Sequence, residues 1–104
     1  MPAVVINQKN YKKEIKRCKI PVLLSFWTKR GFSSLLMLKT ADDLSTELSG
    51  RIKVGVVSDM NCALVSKYNI RVFPAVLLIK NGAVTQRIVG NLSKESFLKI
   101  LSES

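Results

Sequence analysis

The sequence predicts one α/β domain, residues 1–104, in which a mixed five-stranded sheet is flanked by four helices. Residues 22–27 are apolar on both faces, as in a central strand covered on both sides, and residues 75–80 form a second apolar run. The segments between the strands place apolar residues at helical spacing. Asn81-Gly82 is a strong hairpin signal, because both residue types tolerate positive φ. Strands that alternate with helices and end in a hairpin predict the order β-α-β-α-β-α-β-β-α.

The first part of the chain reads as a strand, a helix and a second strand. Residues 3–6 are short and β-branched, which favours a strand, and Asn7 follows as a candidate N-cap. The next apolar residues recur at i, i+4 and i+7, and they are Tyr11, Ile15 and Cys18. This spacing predicts an amphipathic helix in which Cys18 faces the core. Pro21 ends that helix and opens the strand at 22–27.

A longer helix is predicted after this strand, capped by Ser33 or Ser34 and ended by Gly50. Its predicted apolar positions are Leu36, Met37, Ala41, Leu44 and Leu48. A third strand is predicted at 52–58, and a short helix at 62–68. The predicted apolar contacts of the short helix are Ala63, Leu64 and Val65.

The last part of the chain predicts a hairpin and a terminal helix. Strands at 75–80 and 84–89 flank the Asn-Gly turn, and Gly90 breaks the second of them. Ser93 is a candidate N-cap for the final helix. The apolar residues on one face of this helix are Phe97, Ile100 and Leu101.

The chain is strongly basic, with a formal net charge of +10 at pH 7. Such a charge indicates attraction to acidic partners and carries no information on the fold. Six cations concentrate in one segment, and they are Lys9, Lys12, Lys13, Lys16, Arg17 and Lys19. The simpler interpretation is that they solvate an amphipathic helix, and the alternative is a nucleic-acid site. Lys29 and Arg30 form a second pair.

Several classes of site and compartment are not expected. The chain has no histidine, and Cys18 and Cys62 lie 44 positions apart, so they form neither a C-x-x-C motif nor a zinc knuckle. We therefore expect no metal and no cofactor. The apolar runs are too short to span a bilayer and no signal peptide is visible, so no membrane association and a cytoplasmic location are expected.

Four strings, spread over residues 4–101, resemble the thioredoxin family in order and spacing. Residues 21–27 resemble the strand that leads into the family's active site and ends in Phe-Trp, and residues 67–74 resemble the segment that ends in its cis-proline. Residues 80–82 and 89–94 resemble two later signatures. The resemblance implies the thioredoxin fold, with a cis bond between Phe73 and Pro74.

The same comparison reveals that the active-site sulfurs are absent. In the family, Cys-Gly-Pro-Cys follows Phe-Trp after three residues, at a helix N-terminus. The matching residues here are Gly31, Phe32, Ser33 and Ser34. Disulfide exchange needs a thiolate nucleophile and a second thiol that resolves the mixed disulfide. No histidine is present to activate a serine either, so we expect no catalytic residue in this loop.

Other positions of the family chemistry have changed too. The resemblance places the family's buried aspartate at Ser25 and its neighbouring lysine at Gly55, two positions that shuttle protons during thiol chemistry. It places the tryptophan before the first cysteine at Arg30, and the helix-kinking proline at Lys39. The scaffold residues Pro74, Gly82 and Gly90 are retained.

The resemblance also implies a peptide-binding groove. Its expected residues are Trp27, Arg30, Phe32, Phe73, Pro74, Val89 and Gly90. Main-chain groups beside the cis-proline would pair with an extended peptide. Phe32, Leu35 and Phe73 form an exposed apolar patch next to Lys29 and Arg30 in one interpretation, whereas in the other Leu35 packs into the core.

Three functions follow as hypotheses. The first is a redox-inactive, non-enzymatic domain that binds a protein or peptide, preferably an apolar and acidic one. The second is an enzyme that uses Cys62 as a single thiol, although an inert thiol is the simpler interpretation. The third is a basic accessory factor that binds nucleic acid.

Overall fold

The computed structural model describes residues 3–103, in which one sheet lies between two helical layers. Along the chain the elements are β1 (Val4–Val5), a π-helix (Lys12–Lys16), β2 (Val22–Trp27), α1 (Phe32–Glu47), β3 (Lys53–Ser58), α2 (Cys62–Lys67), β4 (Ala75–Lys80), β5 (Ala83–Val89) and α3 (Lys94–Ser102). The predicted order of strands and helices is confirmed. The bounds of β2 and β4 match the prediction, whereas β1 is shorter than predicted.

The five strands form one mixed sheet in the order β1-β3-β2-β4-β5. β3 pairs in parallel with both β1 and β2, and β4 runs antiparallel to β2 and β5. The turn between β4 and β5 uses Asn81 and Gly82 at φ values of 53° and 80°. Positive φ at both residues is what an Asn-Gly hairpin turn requires, so the prediction of this turn is confirmed.

Each face of the sheet carries its own hydrophobic core. In β2, Leu24 and Phe26 point into a first core under the π-helix and α2, whereas Leu23 points into a second core under α1 and α3. Phe97 is the fully buried residue of α3 in that second core. Since successive residues of a strand point to opposite faces, burial on both sides explains why residues 22–27 show no polar alternation.

The first helix differs in type from the predicted one. The side-chain oxygen of Asn7 accepts the backbone N–H groups of Lys9 and Asn10 at 2.8 and 3.0 Å, so it closes a turn before the helix. The helix itself closes with a bond from the Arg17 N–H to the Lys12 carbonyl at 2.9 Å, five residues back. Tyr11 and Ile15 are buried as predicted, and Cys18 is half-buried against the first core. The core-facing prediction for these three residues is confirmed.

The start and the buried stripe of α1 differ from the predicted ones. Gly31, not Ser33 or Ser34, occupies the N-cap, and no side chain caps the helix. The buried stripe runs through Ser34, Met37, Ala41, Leu44 and Leu48. Leu36 is exposed, contrary to prediction, because each residue turns a helix by about 100° and carries this side chain off the stripe. Ala63 of α2 is exposed for the same reason, while Leu64 is buried.

Two tyrosines meet in the first core and share a hydrogen bond. The hydroxyl oxygens of Tyr11 and Tyr68 lie 2.6 Å apart, and both residues are buried. Burial of Tyr68, together with its hydrogen bond to Tyr11, raises the pKa of the Tyr68 hydroxyl far above its usual value near 10. The pair therefore joins the π-helix to the end of α2, and the Tyr68 hydroxyl keeps its proton well above neutral pH.

Replacing Tyr68 by phenylalanine should weaken the fold and flatten its response to alkali. Loss of the shared bond leaves the Tyr11 hydroxyl unpaired, which costs about 1–3 kcal/mol. The raised pKa contributes stability that is complete below about pH 10, where the unfolded tyrosine is also protonated, and that is lost as the pH rises further. Urea unfolding at pH 8 and pH 11 measures both effects. An equal alkaline loss in the wild type and in Tyr68→Phe would contradict this account.

The interior of β3 leaves no room for a side chain at Gly55. A Cβ atom built there would lie 2.9 Å from Ile6 Cγ1 and 3.2 Å from Leu24 Cδ1. Gly55→Ala should therefore destabilise the protein by about 1–3 kcal/mol, as overpacked cores do. In an Ile6→Ala background the same substitution should lower the free energy of unfolding by much less, because the Ile6 Cγ1 atom that would clash with the new Cβ is gone. Urea unfolding of the four chains measures this coupling, and an identical cost in both backgrounds would rule the contact out as the cause.

Candidate functional site

One end of the sheet gathers most of the residues that were predicted to line the groove. Ala75, the first residue of β4, pairs with Phe26 on one side and with Val89 on the other. The peptide bond before Pro74 is cis, as predicted, and the Gly90 N–H donates to the Pro74 carbonyl at 2.9 Å. The ends of β2 and β5 and the start of β4 therefore lie side by side. Gly90 has a φ of 98°, which only glycine adopts readily.

The loop between β2 and α1 is held to the residue that follows β3. The Thr28 hydroxyl donates to Asp59 Oδ2 at 2.9 Å, and the Asp59 N–H donates to the Trp27 carbonyl at 2.8 Å. The Arg30 N–H in turn donates to the Thr28 hydroxyl at 3.3 Å. These bonds fix the loop while the side chains of Lys29 and Arg30 stay exposed. Sequence analysis missed the roles of Thr28 and Asp59, since 31 residues separate them.

The N-terminus of α1 gives this end of the molecule a positive electrostatic potential. Its first N–H groups have no acceptor within the helix, Gly31 offers no capping side chain, and the first turn contains no acidic residue. Unpaired N–H groups carry a partial positive charge at a helix start. Lys29 and Arg30 add two full charges directly before it. The loop and the helix start together favour an anionic group.

Exposed apolar side chains lie in the same region. Phe32 is 76% exposed and Leu35 45% exposed, so Leu35 does not pack into the core. Val72 and Val89 are also more than half exposed. Phe73 is half-buried against the first core, and Pro74 is buried. The apolar surface therefore comes from α1, from the segment before the cis bond and from the end of β5. Val72 was not predicted, although its place beside the Phe-Pro pair was a usable signal.

The two positions that the resemblance assigns to the family cysteines, Gly31 and Ser34, lie within disulfide distance of each other. A Cβ atom built at Gly31 would lie 3.7 Å from the Ser34 Cβ and no closer than 3.5 Å to any other neighbour. Disulfides need a Cβ–Cβ distance of about 3.5–4.5 Å. The Ser34 hydroxyl is fully buried and has no hydrogen-bond partner within residues 3–103. The backbone is thus spaced for a disulfide at positions that hold no sulfur.

The two positions that match the family's proton-shuttle residues, Ser25 and Gly55, point to opposite faces of the sheet. Ser25 is buried on the second-core side of β2, and its hydroxyl also has no partner in the described part of the chain. In the register of β2 and β3, Ser25 lies opposite Val56, whereas Gly55 lies opposite Leu24. A side chain at Gly55 would point to the other face, towards Ile6. Val56, an apolar residue, is therefore the β3 neighbour of Ser25 on the same face.

Trp27 and Cys62 line a separate hollow of about 960 Å³ between β1, α1 and the start of α2. None of the other predicted groove residues lines it. Cys62 is exposed and unpaired at the first position of α2, where the side chain of Asn61 caps the helix by accepting the Leu64 N–H at 3.3 Å. Trp27 is half-buried. Trp27 thus lines this hollow and also ends β2, the strand whose Phe26 pairs with Ala75.

Within residues 3–103, no three histidine, cysteine, aspartate or glutamate side chains come together as metal ligands. No helix in that range has the length and apolar character needed to cross a membrane.

Comparison with known proteins gives a consistent family. The sequence model of the thioredoxin family matches residues 2–103. Thioredoxin of Rickettsia felis is 31% identical over 100 residues, which cover 95% of each chain. Thioredoxin of Haemophilus influenzae is 29% identical and covers 94% of this chain and 92% of its own. A chloroplastic M-type thioredoxin of Triticum aestivum is 28% identical over 96% of this chain and 58% of its own. The chain therefore belongs to the thioredoxin family.

Proposed function

We propose that this protein is a redox-inactive thioredoxin-family domain that binds an extended segment of a partner protein. The observation that carries the proposal is the combination of an intact site backbone with the loss of both sulfurs. Gly31 and Ser34 stand where a disulfide would fit, and the cis bond before Pro74 remains. Because function resides in the site and not in the fold, family membership alone does not supply disulfide chemistry.

The remaining thiols do not replace the missing pair. Cys18 is half-buried on the π-helix side of the sheet, and Cys62 lines the separate hollow beside Trp27. Disulfide exchange passes through a mixed disulfide that a second, adjacent thiol must resolve. A serine hydroxyl at Ser34 forms no such bond. The proposal therefore assigns this domain to binding and not to catalysis.

The main chain beside the cis-proline offers a short edge for an extended peptide. Within residues 3–103, the Pro74 carbonyl is used by Gly90, but no backbone hydrogen bond involves Phe73. A free N–H and C=O on one residue can pair with a peptide as in β-strand addition. Exposed Phe32, Leu35 and Val89 supply apolar surface for side chains of that peptide.

Charge selects the kind of peptide. Lys29, Arg30 and Arg71 are exposed around this end of the sheet, and the uncapped start of α1 adds to their potential. The nearby carboxylate of Asp59 accepts the Thr28 hydroxyl and sets one negative charge against these three cations. Electrostatic complementarity then favours a partner segment that combines apolar and acidic residues.

Restoring both cysteines should restore a disulfide. In Gly31→Cys/Ser34→Cys, made in a Cys62→Ser background that removes the exposed native thiol, the new thiols would meet at the spacing given above. Mild oxidation should then remove 2 Da by mass spectrometry without dimer formation. The helix start should stabilise a thiolate there, and the variant should catalyse insulin reduction by dithiothreitol. The single variant Gly31→Cys is the control and should do neither. Catalysis by the wild-type protein above the dithiothreitol background would overturn the proposal.

Peptide selection tests the binding half of the proposal. A random octapeptide library displayed on phage should yield, on the immobilised wild-type domain, sequences that combine apolar and acidic residues. These peptides, synthesised and measured by fluorescence anisotropy, should bind Arg30→Glu/Phe32→Asp at least tenfold more weakly than wild type.

The matched control is Val84→Asp/Lys99→Glu, which changes two exposed residues and the net charge by the same amount away from the groove. It should bind like the wild type. Circular dichroism confirms that both variants are folded. Failure to enrich any peptide, or equal weakening by the two variants, would place the function elsewhere.

A further inference from the structure

The two helical layers of this protein carry opposite charge. The segment 9–19, which contains the π-helix, and α2 together hold seven cations and one acid, a net charge of +6. On the other layer, α1 and α3 hold three lysines and four acids, a net charge of −1. The high net charge of the chain is therefore concentrated over the first core and is not spread evenly.

The cations on that layer are free to meet a ligand. Lys12, Lys13, Lys16, Arg17 and Lys67 are all exposed, and we call them the cationic face. Within the described residues the two ion pairs are Lys53 with Glu14 and Lys94 with Glu47, and neither involves this face. Glu14, the acid of the segment, is thus already neutralised by a lysine of β3.

Contacts between the π-helix and α2 make the face continuous. The Lys67 ammonium lies 5.6 Å from the ring centroid of Tyr11, which sits directly before the π-helix. The hydrogen bond between the Tyr11 and Tyr68 hydroxyls joins the same two elements on the side that faces the first core. Since both tyrosines belong to the first core, the backbone segments that carry these cations are held next to each other.

We propose that the cationic face binds the phosphate backbone of double-stranded nucleic acid without reading its sequence. Duplexes present closely spaced phosphates in regular rows, about one charge per 1.7 Å of axis, which suits five cations on a molecule 29 Å wide. The large exposed apolar residues of residues 3–103 all lie outside segment 9–19 and α2. With both tyrosines buried, the face has no ring to stack on unpaired bases and no apolar side chain to enter a membrane.

The test is fluorescence anisotropy of a labelled 20-base-pair DNA duplex, and of the RNA duplex of the same sequence, between 50 and 200 mM KCl. Five phosphate contacts give a slope of log K against log salt of about −4.5, so affinity should fall about 500-fold over that range. Lys12→Glu/Lys16→Glu should reduce the steepness of this slope by about 2 and weaken binding at 50 mM at least tenfold.

The matched control is Lys39→Glu/Lys99→Glu, which removes the same charge from exposed sites on α1 and α3. It should retain most of the affinity. Equal loss in both double variants would show a response to net charge alone and would overturn the proposal. The proposal would also be overturned if polyglutamate, phosphatidylserine vesicles or one strand of the DNA bound more tightly than the duplexes. Each of these results would mean that the cationic face binds another kind of ligand. If Lys12→Glu/Lys16→Glu unfolds, the same comparison is made with glutamine. Lys12→Gln/Lys16→Gln should then lose affinity for the duplex, and its control Lys39→Gln/Lys99→Gln should retain it.

Discussion

The pairing of β2 with both of its neighbours is the constraint on which the rest of this structure depends. β2 runs parallel to β3 and antiparallel to β4, and both of its faces are buried. The register between β2 and β4 places the cis bond before Pro74 beside the end of β2. The register between β4 and β5 places Gly90 next to the same bond. A slip of one residue would exchange the two faces of the strand, so the two cores and the groove are fixed together.

This framework also sets the shape of the loop that the proposed function treats as a former redox site. The positions of Gly31 and Ser34 are set by the anchored loop after β2 and by the packing of α1, neither of which needs sulfur. The buried hydroxyls of Ser25 and Ser34, which lack partners within the described chain, lie in the layer between β2 and α1. The proposed groove beside them depends on backbone geometry and exposed side chains, so the proposed binding function needs no sulfur.

Charge separates the two proposed surfaces. The proposed groove lies at one end of the sheet, beside the start of α1 and the exposed Arg30. The cationic face covers the side of the first core, where Lys67 and the π-helix meet. Each surface has its own variants and its own control, so one can fail without the other. Neither requires the hollow between Trp27 and Cys62.

The sequence by itself determined the order of elements, the Asn-Gly turn and the loss of sulfur, because local apolar spacing and residue identity are enough for these. Only the tertiary structure decided that Gly31 is the N-cap of α1, that Leu36 is exposed and that Val56, not Gly55, lies beside Ser25 on the same face. The tertiary structure alone also placed the Lys67 ammonium over the ring of Tyr11. These outcomes depend on which way a side chain points once distant segments pack, and a pattern along the chain carries no record of that direction.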